Sequence, residues 1–165
     1  MILLEIIGLV LLSITAVLQI AALATVKWLT FSIGMQTWSY GLFKLCLETK
    51  SASRCEHGNW YPDRQGELYA VCAMAIIAFL LVAEMILTFL ICKFATKKKP
   101  TIPLVISGVV AGLFQIIAVA VFAARLKPEG NDLVKFGASF YVACVAIVTI
   151  IAGTVFAGIG TKRSD

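Results

Sequence analysis

Ile102 to Ala124 reads IPLVISGVVAGLFQIIAVAVFAA, 23 residues without a charge. At 1.5 Å per residue a helix of that length extends about 35 Å, more than the roughly 30 Å of hydrocarbon in a bilayer. Three further runs match it: Leu3 to Val26 with one acid, Glu5; Leu68 to Cys92 with one acid, Glu84; and Phe136 to Ile159 with none. Backbone groups in lipid have no water to bond to, so each run is expected as a helix whose hydrogen bonds are internal. The rest of the composition agrees. Hydrophobic residues make up 61% of the 165 and charged residues only 14%, against about 25% charge in an ordinary soluble domain. So few charges do not cover a water-facing surface. The expectation is an all-α membrane protein built as a four-transmembrane-helix bundle.

The runs divide the chain into transmembrane segments 3–26, 68–92, 102–124 and 136–159, with connections 27–67, 93–101 and 125–135 and a tail 160–165. The N-terminal run lacks a basic leader, carries Glu5 and is too long for a cleavable h-region, so it is read as a retained anchor. The net charge of +5 points to juxtamembrane lysines. No basic stripe is interleaved with aromatics, so nucleic acid is not an expected partner. Residues 93–99 hold Lys93 and the cluster Lys97, Lys98, Lys99 with no acid, and the tail adds Lys162 and Arg163. By the positive-inside rule these short basic segments are cytosolic. The other two connections carry eight basic residues diluted by six acids. Both termini then lie in the cytoplasm, and residues 27–67 and 125–135 lie outside. Trp28, Tyr69, Phe140 and Tyr141 fall at the outer ends of the runs, where interfacial aromatics belong.

Helices in lipid associate through close contact of small residues and through buried polar groups. The third run carries Gly108 and Gly112, the fourth Gly153 and Ala157, each at small-xxx-small spacing; the first offers Ala21 and Thr25. Gln19 and Gln115 are expected to hydrogen-bond between helices. Glu84 would sit about 12 Å from the inner end of its helix. An acid at that depth is costly. It is expected either to bond Ser13 or Ser107, or to face a helix of another protein. Cys92, beside Lys93, is a candidate for S-palmitoylation.

Residues 27–67 have strand character. Trp28 to Ile33 and Trp38 to Cys46 both alternate, and Thr49 to Ser53 is polar and suited to a turn. Cys46 and Cys55 flank that turn, a spacing that suits a bridge across a hairpin. Free thiols, or metal ligands with His57, are the competing readings. One histidine and two cysteines make an incomplete zinc set, so no metal is expected.

Trp28, Gly41-Leu42-Phe43, Cys46 and Cys55, in that order, resemble the W…GLW…C…C motif of the claudin, peripheral myelin protein and epithelial membrane protein superfamily. Lys135 to Tyr141 is also similar to the corresponding claudin segment. Phe43 stands where the motif ends in tryptophan. The resemblance implies a left-handed bundle topped by a small extracellular antiparallel β-sheet, with residues 125–135 adding a strand. It also implies that Trp28, Gly41, Leu42 and Phe43 anchor that sheet at the membrane surface and that the cysteine bridge holds its central hairpin.

Two functions follow. One is a claudin-like protein of cell–cell contacts or membrane organisation at the plasma membrane, acting on itself in cis or trans through the sheet. The other is an accessory subunit of a channel or receptor. In either case the lipid bilayer is the first partner. The charges Lys44, Glu48, Lys50, Arg54, Glu56, Asp63, Arg64 and Glu67 nearly cancel, so strong ion selectivity is not expected. The C-terminal Ser-Asp lacks a hydrophobic residue for a PDZ groove. No cofactor is expected. No Ser-His-Asp set or paired carboxylates can be assembled from these residues, so catalysis is not expected either.

Overall fold

The computed structural model describes residues 2–49, 52–57, 64–96, 101–126 and 133–163. In chain order the elements are α1 (Ile2–Ala24), β1 (Leu29–Ile33), β2 (Gln36–Tyr40), β3 (Lys44–Glu48), β4 (Ser53–His57), α2 (Gln65–Ile91), α3 (Thr101–Val121), β5 (Val134–Phe136) and α4 (Ala138–Arg163). The four helices are long and apolar enough to cross a bilayer. Two of them open into a π turn, α2 at Cys92–Thr96 and α3 at Phe122–Leu126. All five strands form one antiparallel sheet in the order β4-β3-β2-β1-β5 at one end of the bundle.

The hydrophobic side chains face both inward and outward, as lipid solvation requires. Leu12, Val82, Ile150 and Phe122 are fully enclosed, while Val17, Leu80, Ile106 and Val148 lie on the outside. α1 and α4 form the closest pairing, and α2 leans on α3. A Cβ added at Gly8 would lie 2.5 Å from the Ala157 backbone nitrogen, and one at Gly160 would lie 2.9 Å from that of Glu5. These contacts let two backbones approach, which is how helices gain dispersion energy in lipid. Hydroxyls reinforce the seam: Thr15 Oγ1 donates to Thr149 Oγ1 at 2.7 Å.

Three departures from the sequence reading concern the fold; one is that the bridged hairpin, β3–β4, lies at the edge of the sheet and not at its centre. Second, Trp38 to Cys46 is not one alternating strand. It breaks into β2 and β3 around Gly41, whose N–H donates to Lys44 O at 2.9 Å. A Cβ there would lie 2.8 Å from Val26 Cα, so the turn tucks against the chain leaving α1 and needs a residue without a side chain. Third, Trp28 and Phe140 are not interfacial belt residues. They are 1% and 8% exposed, whereas Tyr69 and Tyr141 are 66% and 58% exposed. Register along a helix sets depth, but burial depends on azimuth, which depends on the neighbours.

Candidate functional site

No cluster of three His, Cys, Asp or Glu is present among the described residues. The feature with chemical character is the sheet and the way it is fixed to the bundle.

Its root is β1 and β5. The Trp28 ring lies 4.7 Å from Phe122 and 6.3 Å from Phe140, and Phe136 stacks on Phe140 at 4.2 Å. Aromatic pairs at such distances add roughly 0.5–1.5 kcal/mol each beyond burial. Trp28 Nε1 donates to Ala22 O at 2.7 Å, which satisfies one carbonyl that the end of α1 leaves open. The backbone closes the joint. Gly137 N donates to Trp28 O and Ser139 N to Lys27 O, both at 2.9 Å. Lys27 N donates to Ser139 Oγ at 3.2 Å, and Ser139 Oγ shares a 2.6 Å bond with Thr25 Oγ1. Leu42 is buried and its carbonyl accepts from Cys72 Sγ at 3.9 Å. Phe43, next in sequence, is 49% exposed. The motif residues Trp28, Gly41 and Leu42 are therefore packed into the joint, while Phe43 points away from it.

The tip is the β3–β4 hairpin. Cys46 and Cys55 face each other in register and are joined by a disulfide, with a Cα–Cα distance of 4.1 Å. The bond excludes the free-thiol and metal readings of those sulfurs. Thr49 Oγ1 donates to Ala52 O at 2.8 Å and closes the turn. Residues Ser53 to Glu56 of β4 are exposed and lie on the sheet edge. Arg54 and Glu56 pair at 3.1 Å. Lys50 and Asp63 lie outside the described residues, as does the Lys97, Lys98, Lys99 cluster.

The packing residues singled out in the sequence fall in different places. A Cβ on Gly108 would lie 2.3 Å from Thr154 Oγ1, and one on Gly153 would lie 3.0 Å from Leu12. Gly112 has nothing nearer than Ile150 at 3.8 Å, so a methyl group fits there. Gln19 Nε2 donates to Gln115 Oε1 at 3.3 Å across the bundle centre. Glu84 accepts from Ser107 Oγ at 3.1 Å and is exposed on the outer face of α2 and α3. Cys92 is half-buried in the π turn.

Sequence reasoning missed two contacts. Glu5 is 5% exposed and paired with Lys93, which ties α1 to the end of α2 opposite the sheet. Gly8 makes the tightest backbone approach between α1 and α4. The lone acid in an otherwise apolar run was a signal for the first. The second had none, because the residues four positions either side of Gly8 are Leu4 and Leu12.

A family model described as the PMP-22/EMP/MP20/Claudin family matches residues 1–156. No curated protein matches the chain.

Proposed function

The chain belongs to the PMP-22/EMP/MP20/Claudin family, and from that premise we propose that it organises contacts between membranes through its sheet. In this reading the sheet faces the extracellular space at the plasma membrane, and both termini are cytosolic. The basic segment joining α2 to α3 supports that orientation by the positive-inside rule. The observation that carries the reading is the contrast between a root fixed by buried aromatics and a disulfide-held hairpin whose outer strand, β4, is exposed and forms an open edge among the described residues. An unpaired strand edge is a template for another chain. A rigid one loses little conformational entropy on docking. The occupant is a second copy, laterally or from a facing cell.

Expression in non-adherent cells tests this. The expected result is clustering, with the protein concentrated where cells touch. Dispersed cells with evenly distributed protein contradict it.

A second reading, an accessory subunit of a channel or receptor, is favoured by Glu84. An acid inside a membrane span ordinarily faces the bundle interior or a polar cavity, yet this one is exposed on the outer face with Ser107 as its hydrogen-bond donor. A partner helix carrying a donor at that depth would cover it. Extraction in mild detergent distinguishes the two. Co-purification with a larger membrane protein, lost on Glu84→Leu, supports the accessory role, and recovery only as self-oligomers counts against it.

A further inference from the structure

The end of α1 and the start of α4 border a cavity of about 360 Å³ beside the joint that holds the sheet. Its upper rim carries Lys27 and Lys44, and its walls include Ala21, Ala24, Thr25 and Ser139. Lys27 is exposed and Lys44 is half-buried. Neither has an ion-pair partner among the described residues, and no carboxylate lines the cavity. α1 ends at Ala24 and α4 begins at Ala138, where the chain passes from apolar helix to polar sheet. The cavity thus opens at the depth where a bilayer changes from acyl chain to headgroup, with its cations above its apolar walls.

We propose that this cavity binds one glycerophospholipid of the sheet-side leaflet, with the phosphate between Lys27 and Lys44 and an acyl chain lying along the outer groove that α1 and α4 form at Ala21, Ala24 and Val142. The hydroxyls are already committed. Thr25 Oγ1 donates to Ala21 O, and Ser139 Oγ bonds both Thr25 Oγ1 and Lys27 N. Recognition of the phosphate therefore falls to the two ammonium groups. Each brings three donors and a long stem suited to reaching the headgroup level. The small side chains of Ala21 and Ala24 leave the room that a chain of methylenes fills. This site does not depend on whether the sheet mediates adhesion. It requires only that the helices cross a bilayer.

Native mass spectrometry of the full chain, titrated in mild detergent with dioleoyl phosphatidylglycerol, tests the proposal. The wild type is expected to retain one lipid per chain. Lys27→Gln with Lys44→Gln raises the half-saturating lipid concentration about thirty-fold, from the contribution of two lysines near a lipid phosphate. Ala24→Phe fills the cavity without changing charge and also abolishes retention, so the test survives if the double variant does not fold. Lys135→Gln removes a lysine that lies outside the cavity and leaves binding unchanged. Dioleoylglycerol, which lacks the phosphate, is not retained, and millimolar inorganic phosphate does not displace the lipid. Equal binding by the double variant and the wild type overturns the assignment. So does retention of dioleoylglycerol, loss of binding in Lys135→Gln, or displacement by inorganic phosphate.

Discussion

The root and the tip of the sheet are held by different physics. At the root, Trp28, Leu29, Leu42 and Val134 are buried against Phe122, Leu126 and Phe140, and backbone bonds lock residues 27–28 to 137–139. At the tip, β4 has no core beneath it; Ser53 to Glu56 are all exposed. Burial stabilises in proportion to apolar area removed from water, and β4 removes little. A hairpin of that kind is marginal alone. The disulfide takes the place of the missing core, so the outermost element is ordered without hiding its edge. The contact role proposed above requires both properties, order and an uncovered edge.

The largest expected effect comes from breaking the root. Trp28→Ala removes the central ring of the joint and leaves Ala22 O without its donor. It should cost about 3–5 kcal/mol and loosen sheet and helices together. Thermal unfolding in detergent should show one transition shifted well down. Cys46→Ser with Cys55→Ser comes next. Closing so short a loop contributes about 2.7 kcal/mol on the chain-entropy model. The loss should be confined to β3 and β4, read as faster hydrogen exchange there with α1 and α4 unchanged. Equal exchange along the whole chain would erase the distinction between the two regions. Ser139→Ala leaves the amide of Lys27 without its acceptor and should cost about 1–2 kcal/mol, again at the root. Arg54→Ala breaks an exposed pair on the tip and should change stability by less than about 0.5 kcal/mol, measured by the same melt.

The sequence displayed the spans plainly, because 23 uncharged residues in a row have few other physical uses. The disulfide was legible too, since two cysteines flanking a polar turn imply opposed strands. The break at Gly41 was not, because alternation of side chains runs through a tight turn as readily as along a strand. Trp28 showed its depth but not its burial. Its neighbours Phe122 and Phe140 are distant in sequence, and nothing local says that they converge. Glu5 stood out as the lone acid of its run, but its partner Lys93 is 88 positions away, so the pairing itself was not legible. Gly8 pairs with Ala157 on another helix, and a single small residue among leucines has no spacing to announce it.

The proposed contact role requires the hairpin tips to lie outside the cell. Met35, 69% exposed in the turn between β1 and β2, reports on this without touching the disulfide. Met35→Cys should react with a membrane-impermeant maleimide on intact cells, above the background set by the unsubstituted chain. Reaction only after the plasma membrane is permeabilised would place the sheet in the cytosol and contradict the account.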